Sequence, residues 1–369
     1  MSNRSEVQKI ISYFFNDNNF NFKGFGSGHI HDTFLIEFNG KSNHDFILQK
    51  INHLIFKDVA GMMQNIDLVT KALKRKLEQL NNSDFKTTEI VETKEGELYY
   101  EDSNGNYWRI FTFISNSISF DKVTSEIQAF EAGYAFGIFQ KLLSDFPAEK
   151  LSVTIPEFHN MKYRFANLRK AVKNDKYNKV VHVKTEIEFA ESRSVEMITL
   201  YQMIEDGIIP LRVTHNDTKF NNVLLHNDTK KVLGVIDLDT VMPGSVLYDF
   251  GDAIRTIINT REEDESDLRK IFVSLPFFEA FAKGYLQETL HLLTEKEIRY
   301  LVIACRYMTF IMGLRFLTDY LEGDIYYKTK YKEHNLQRAK AQFKLVACME
   351  EKSILMETII RKLVTDNFK

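Results

Sequence analysis

The chain has 369 residues, of which 44% are hydrophobic and 27% are charged, and its formal net charge is −3. This length predicts two domains or two lobes, and the composition excludes a disordered chain. The small net charge gives no strong electrostatic attraction to nucleic acid or to an anionic membrane, so we expect a small-molecule partner.

The cysteine content and the N-terminus predict a cytoplasmic location. Cys305 and Cys348 are the only cysteines and form neither a disulfide framework nor a metal cluster by their spacing. The N-terminal residues become polar and acidic before the apolar core of a signal peptide, and we expect no membrane-spanning segment.

The first part of the chain predicts an α+β region. In chain order the expected elements are a helix at about residues 5–16, a glycine-rich turn at 24–29, strands at 33–38 and 45–51, a helix at 58–80, and strands at 97–101 and 107–114. The strands are rich in β-branched and aromatic residues, and residues 102–106 carry a strong hairpin-turn signal. We therefore predict an antiparallel sheet here.

From residue 125 onward the apolar residues recur with a helical period of 3.6. Helices are expected at 125–146, 185–205, 277–290 and 295–321, with one β-rich block at about 211–240. The five prolines are too few for an extended linker, which predicts a short hinge near 113–121. We expect an N-lobe of residues 1–115 and a C-lobe of residues 116–369.

The β-rich block contains the residues with the clearest chemical signal. Asp217 lies in a polar segment after His215, and Asn222 follows five residues later, directly before an apolar run. A second apolar run ends in Asp237 and Asp239, whose spacing puts both on one side of a strand. Phosphoryl transfer needs a carboxylate that orients the hydroxyl, and oxygen ligands for the Mg²⁺ that bridges the nucleotide phosphates.

Each of these residues alone has a common structural role. An Asp in a polar turn usually shapes the turn, and Asn favours left-handed backbone. Together they form the pattern H-x-D-x-x-x-x-N, followed about fifteen residues later by I-D-x-D. The combination favours a catalytic function over a chance arrangement.

These residues resemble the aminoglycoside phosphotransferase and choline kinase family, whose catalytic loop and metal carboxylate are related to those of protein kinases. The segments that carry the resemblance are residues 215–222, 236–244 and 247–252, with a further block at 313–326. The resemblance covers both lobes. It implies an α+β, bilobal, protein-kinase-like fold, with a small antiparallel-sheet N-lobe that binds nucleotide and a mainly helical C-lobe that carries catalysis and substrate binding.

Within this family the sequence is most similar to members that phosphorylate the anomeric hydroxyl of N-acetylhexosamines. The implied reaction converts N-acetylglucosamine or N-acetylgalactosamine and ATP to the sugar 1-phosphate and ADP, with Mg²⁺ as cofactor. The resemblance implies Asp217 as the base and Asn222 and Asp237 as metal ligands. Asp239 is expected either to assist the metal or to hold the loop.

The resemblance also implies nucleotide-binding residues in the N-lobe. Gly26, Ser27 and Gly28 would let the backbone approach phosphates, although an ordinary hairpin is the alternative. The phosphate-binding lysine is expected on the next long strand, where Lys50 is the candidate. Gln49 occupies the position where related kinases often carry the basic residue, and a shift of one residue changes the face of a strand.

For the acceptor sugar the resemblance offers three residues, Arg315, Tyr326 and His29. Arginine can donate a planar fork of hydrogen bonds to sugar oxygens. The alternatives are an intrahelical pair between Arg315 and Asp319, four residues apart, and a core position for Tyr326. We expect Asp249, Asp252 and Arg255 to be structural ties below the catalytic loop.

Three other functions remain open from the sequence. The acceptor could be another sugar, an aminoglycoside or a choline-like amine, although Arg315 would oppose a cation. A catalytically silent nucleotide- or sugar-binding module is a second alternative. A protein kinase is the third, and it is disfavoured because Asp237-Leu238-Asp239 replaces D-F-G and no A-P-E motif follows.

Overall fold

The computed structural model describes residues 4–17, 19–26, 30–39, 45–80, 84–259 and 261–367. The chain forms two compact units. The first unit comprises the chain up to Ser119 together with Asp145–Pro156 and Val223–Pro243. The second comprises Phe120–Ser144, Glu157–Asn222 and the chain from Gly244 onward. The first unit therefore includes two segments that follow the first part of the second unit in the sequence.

The first unit is built on an antiparallel sheet of six strands. These are β1 (Phe20–Gly24), β2 (Asp32–Phe38), β3 (Phe46–Ile51), β4 (Ile90–Val91), β5 (Tyr100–Glu101) and β6 (Tyr107–Thr112). Their order is β1-β2-β3-β6-β4, and β5 pairs with β6 as well. The turn before β6 forms because the Asp102 carboxylate accepts hydrogen bonds from the backbone N–H groups of Asn104 and Asn106.

The two faces of this sheet carry different chemistry. One face packs under helix α1 (Arg4–Ile11), and its fully buried centre is Trp108. Successive strand residues alternate between faces, so Arg109 points to the other side, where its Nη1 lies 3.7 Å from Met63 Sδ of helix α2 (Val59–Gln79). The sheet thus separates an apolar face from a face with a buried charge.

A second, three-stranded antiparallel sheet belongs to the same unit. Its order is β10 (Val232–Val235), β9 (Val223–His226) and β7 (Ser117–Ile118). Gly234 is required here, because a Cβ at this residue would lie 2.4 Å from the carbonyl oxygen of Lys86. A short 3₁₀ turn, Leu238–Thr240, follows β10.

The second unit is mainly helical. Its helices are α3 (Glu126–Leu142), α4 (Met161–Asn174), α5 (Lys184–Glu191), α6 (Ser194–Glu205), α7 (Val246–Ile257), α8 (Leu275–Thr289), α9 (Glu295–Glu322) and α10 (His334–Asn367). The short strand β8 (Arg212–Thr214) precedes the catalytic segment, and β11 (Met242–Gly244) begins in the part of the chain assigned to the first unit and ends at the first residue of the return to the second. Helices α3 and α8 approach very closely, since a Cβ at Gly133 would lie 2.0 Å from the Phe281 carbonyl oxygen.

Helix α9 forms the centre of the second unit. It begins with a capping box between Thr294 and Glu297 and ends at Gly323, whose φ of +100° is left-handed. By length and composition α9 could cross a membrane, but 78% of its most apolar 18-residue window is buried inside the structure. This burial is typical of a core helix.

Candidate active site

The catalytic loop between β8 and β9 is anchored from below by one carboxylate. Asp249 of α7 accepts hydrogen bonds from the backbone N–H groups of His215 at 2.8 Å and Asn216 at 2.7 Å. Gln140 donates to the same carboxylate at 3.0 Å, and Thr218 donates to the Asp249 carbonyl at 2.6 Å. Asn216 adopts a φ of +64°, so these bonds hold a backbone turn that few residue types favour.

Burial governs the electrostatics of this anchor. It raises the pKa of Asp249 to about 6, although His215 and the two backbone N–H groups oppose the rise. The side chains of His215 and Asp249 are almost fully buried, and the His215 ring packs edge-on against Phe136 and Phe139. His215 and Asp249 therefore shape the loop, and Asp249 has the structural position below the loop that the sequence predicts.

The loop presents the carboxylate of Asp217. This side chain is 21% exposed, and Lys219 Nζ lies 2.7 Å from its Oδ1. Burial would raise the pKa of Asp217, but the charge and hydrogen bond of Lys219, with smaller contributions from His215 and Arg255, hold it below its ordinary value. Asp217 is therefore ionised at neutral pH and able to accept a hydrogen bond from a hydroxyl group.

Asn222 closes the same loop. Its amide nitrogen donates to the Asp217 carbonyl oxygen at 2.8 Å. This bond directs the nitrogen into the loop, and the amide oxygen is the atom with which Asn binds a hard cation. The next residue, Val223, begins β9 and is the register partner of Val235 in β10.

In the first unit, Asp237 and Asp239 follow β10 and differ in their surroundings. Asp237 has a left-handed φ of +64°, which is uncommon for a residue other than glycine. Asp239 is only 4% exposed and is held by two buried side chains. Arg109 Nη2 lies 2.6 Å from its Oδ1, and His31 Nε2 lies 2.6 Å from its Oδ2.

Further hydrogen bonds fix this group. Gln49 Oε1 accepts from the Arg109 guanidinium at 3.0 and 2.8 Å. His31 Nδ1 accepts from the Asn52 backbone N–H at 3.0 Å, which leaves Nε2 to carry the proton toward Asp239. Despite burial, Arg109 and His31 lower the pKa of Asp239 to about 2.

This geometry distinguishes between the two roles expected of Asp239, which are to assist the metal or to hold the loop. Both of its oxygens bind protein groups, so the structure favours the loop-holding role over the metal role. Arg109 and His31 were missed by the sequence reasoning. A charged residue at the centre of the apolar strand β6 was the available signal for Arg109.

The nucleotide-binding residues expected in the N-lobe are only partly described. Gly26 has a φ of +80°, which only glycine adopts readily. Ser27, Gly28 and His29 lie outside the described residues. Lys50 is the register partner of Trp108, with its Nζ 5.4 Å from the indole ring centroid, so it lies on the face opposite to Gln49 and Arg109.

The acceptor candidates Arg315 and Tyr326 are brought together in the second unit. The Arg315 guanidinium carbon lies 5.8 Å from the centre of the Tyr326 ring, and Tyr326 is 66% exposed, which is not a core position. Among the described residues Arg315 forms no ion pair with Asp319. The Asp319 carboxylate instead accepts the backbone N–H groups of residues 325–327 at the end of α9.

Comparison with known proteins agrees with this arrangement. The family model described as the phosphotransferase enzyme family matches residues 21–295, three quarters of the chain, and the chain belongs to that family. The activity class is therefore phosphotransfer.

Solved structures show the same fold at low sequence identity. An aminoglycoside phosphotransferase from Alicyclobacillus acidocaldarius has 13% identity, a TM-score of 0.60, and coverage of 97% of this chain and 96% of its own. An ethanolamine kinase of Plasmodium vivax has 13% identity, a TM-score of 0.59, and coverages of 93% and 90%. A choline kinase of Cryptosporidium parvum has 14% identity, a TM-score of 0.54 and full coverage of both chains. The prediction of a protein-kinase-like fold with an antiparallel-sheet N-terminal region and a helical C-terminal region is confirmed.

Proposed function

We propose that this protein is an N-acetylhexosamine 1-kinase that uses ATP and Mg²⁺ to phosphorylate the anomeric hydroxyl of N-acetylglucosamine or N-acetylgalactosamine. The observation that carries the proposal is the ionised Asp217 on an anchored loop, in the same unit as the contact between Arg315 and Tyr326. The first supplies a base for a hydroxyl group, and the second supplies donors and an aromatic surface suited to a sugar ring.

In the proposed reaction Asp217 accepts a hydrogen bond from the anomeric hydroxyl and orients its oxygen toward the γ-phosphorus of ATP. The bond from this oxygen to phosphorus forms as the bond to the β,γ-bridging oxygen breaks, and the proton passes to Asp217. Lys219, 2.7 Å from Asp217, keeps the carboxylate ionised before the transfer. The electron pair of the broken bond leaves with ADP.

Asn222 and Asp237 are the proposed ligands of Mg²⁺. Among the described residues no group of three or more His, Cys, Asp or Glu side chains is placed to hold a metal by itself. Magnesium in kinases commonly takes one or two protein oxygens and completes its shell with phosphate oxygens and water, and an amide plus a carboxylate fit this requirement. When bound, the ion neutralises charge on the transferred phosphoryl group.

We also propose a cytoplasmic location. Cys305 and Cys348 are free and buried, which is compatible with a reducing compartment.

The test is ADP release with Mg·ATP across N-acetylglucosamine, N-acetylgalactosamine, glucose, galactose, choline and kanamycin, followed by phosphorus NMR of the product. An anomeric phosphate formed from the N-acetylhexosamines is the expected result. Turnover with choline or kanamycin alone would mean that the acceptor is an amine or an aminoglycoside and not an N-acetylhexosamine. If the protein binds Mg·ATP but turns over none of these compounds, a catalytically silent binding module is favoured.

A further inference from the structure

Two arginines of the second unit meet around Phe158. Arg164 of α4 donates from Nη2 to the carbonyl oxygens of Glu157 at 3.1 Å and Phe158 at 2.9 Å. The guanidinium carbon of Arg315 lies 5.5 Å from the centre of the Phe158 ring. Tyr326 and Tyr327 lie beside Arg315, with ring centres 5.8 and 5.4 Å away. We call Arg164, Arg315, Tyr326 and Tyr327 the arginine cluster.

The positive charges of this cluster have no neighbouring carboxylate among the described residues. Within the described parts of the chain, neither Arg164 nor Arg315 has a carboxylate oxygen at ion-pair distance, whereas Arg169 on the same helix pairs with Glu191 at 2.7 Å. The Nε of Arg164 and the hydroxyl of Tyr327 are buried and find no hydrogen-bond partner among the residues that the structure describes. Burial and the neighbouring Arg315 lower the pKa of Arg164 to about 10. Unpaired charges and orphaned donors are costly, and they concentrate at functional sites.

His159 connects the cluster with the catalytic loop. It follows Phe158, is 8% exposed, and packs against Tyr248 with the rings tilted by 46° and their centres 4.8 Å apart. The side chain of Asn216 in the catalytic loop lies within reach of its imidazole. Burial, followed by the charges of Arg315 and Arg164, lowers the pKa of His159 to about 3, and the charge of Asp217 acts in the opposite direction. The imidazole is neutral and lies within the fields of both arginines and the catalytic carboxylate.

We propose that Arg164, acting with Arg315, is a specificity-determining residue that rejects acceptors carrying an ammonium group and favours those that offer neutral oxygen acceptors. This inference rests on the proposed sugar kinase function. On a hexosamine ring the difference is sharp, because an acetamido group presents a carbonyl oxygen to a guanidinium, whereas the free amine presents a second positive charge. Like charges brought together in a partly buried site oppose binding.

The experiment compares kcat/KM for N-acetylglucosamine and glucosamine at saturating Mg·ATP and a pH at which the amine is protonated. For the wild type we expect a preference for the N-acetyl sugar of about 100-fold or more. Arg164→Gln retains hydrogen-bonding groups and removes the charge, and it should reduce this preference about tenfold, chiefly through the KM for glucosamine. Arg164→Lys retains the charge and should keep most of the preference.

Arg169→Gln is the matched control, because it removes a guanidinium from the same helix and is expected to leave the ratio unchanged. Salt supplies a measurement that needs no variant. Raising the ionic strength screens repulsion, so the wild-type preference should fall several-fold between roughly 0.05 and 0.5 M salt.

The outcomes distinguish this inference from the proposed function. Suppose that the wild type phosphorylates N-acetylglucosamine and that Arg164→Gln shows the same preference for the N-acetyl sugar. The role of Arg164 is then wrong, and the sugar kinase function stands. If Arg164→Gln fails to fold, a wild-type preference that does not change with salt leads to the same conclusion. If neither hexosamine is phosphorylated and choline or kanamycin is, the proposed function fails, and efficient use of such a cation overturns the role of Arg164 as well.

Discussion

Asp217 and Asp239 are both acidic residues of the pattern that predicted phosphoryl transfer, yet their surroundings differ. Asp217 is 21% exposed, and its ion-pair partner Lys219 is 43% exposed. Asp239 is 4% exposed, and its partners Arg109 and His31 are 1% and 6% exposed. The first carboxylate has a partner that solvent can reach, and the second has both oxygens enclosed by protein.

This difference indicates how a carboxylate near a reaction is used. An exposed lysine can move away when a substrate hydroxyl arrives, because a solvent-exposed ion pair contributes little free energy. A buried pair with two partners cannot open without leaving a charge unsatisfied. We therefore propose a chemical role for Asp217 and a structural role for Asp239.

The largest effect is expected at Asp217. Asp217→Asn keeps the shape of the side chain and removes its negative charge, and we expect kcat to fall by about 10²–10⁴-fold, the contribution of a positioned general base. Nucleotide binding, measured by calorimetry with Mg·ATP, should stay close to that of the wild type.

Asp228→Asn is the control for this change, because Asp228 is exposed in the turn between β9 and β10. It should leave kcat within a factor of two. Full activity in Asp217→Asn would contradict the proposed role of Asp217 as the base. The proposed functional difference between Asp217 and Asp239 would then be wrong.

The second prediction concerns the stability of the first unit. Asp239→Leu leaves Arg109 buried without its charge partner, which should lower the free energy of unfolding by about 3–5 kcal/mol. Arg109→Met combined with Asp239→Leu removes both charges and should recover much of this loss. The single tryptophan, Trp108, lies in the core of this unit, so its fluorescence during urea unfolding reports the change.

A surface pair of the same sheet provides the reference. Lys23 and Glu37 are 60% and 41% exposed, and Glu37→Gln should cost no more than about 0.5 kcal/mol. A cost for Asp239→Leu as small as this would show that the buried pair does not hold the first unit together.

The third prediction is a pH dependence with a defined sign. The pKa of Asp239 is lowered in the folded state to about 2 from an ordinary value of 3.8, so its stabilisation is complete above about pH 4. It is lost as the pH falls from about 4 through 2, because protonation removes the charge that Arg109 and His31 bind. We expect the urea midpoint followed by Trp108 to fall more steeply in this window for the wild type than for the Arg109→Met/Asp239→Leu double variant. Equal slopes would contradict the lowered pKa.

Local patterns predicted many of the elements. The strand expected at 33–38 is β2, the helix expected at 58–80 is α2, and the helix expected at 295–321 is α9. Periodicity and turn residues act over a few positions, and these elements satisfy them locally. The single helix expected at 185–205 is instead two, α5 and α6, separated by Ser192 and Arg193.

Contacts between distant residues could not be predicted in this way. Arg109 and Asp239 are 130 positions apart, and nothing in the strand around Arg109 specifies its partner. The same holds for Arg164, whose neighbour Arg315 comes from another helix. The sequence motif predicts Asp217 as the base because the chemistry and spacing of the motif lie within one loop, whereas the supporting residues come together only in the folded chain.

The smallest effect is expected at Lys50, which tests the separation of the two faces of the first sheet. Its amine lies over the indole of Trp108, on the face opposite to Gln49 and Arg109. Lys50 is half-buried, so Lys50→Met should remove only a cation–π contact, worth about 1 kcal/mol of stability, and change the KM for ATP by less than twofold. Gln49→Leu, which removes the acceptor of two Arg109 hydrogen bonds, should lower stability more by the same Trp108 fluorescence assay. A tenfold rise in the KM for ATP in Lys50→Met would instead mean that Lys50 binds the nucleotide phosphates, as the sequence predicts. The nucleotide would then bind on the face of the sheet that carries Lys50, and not on the face that carries Gln49 and Arg109.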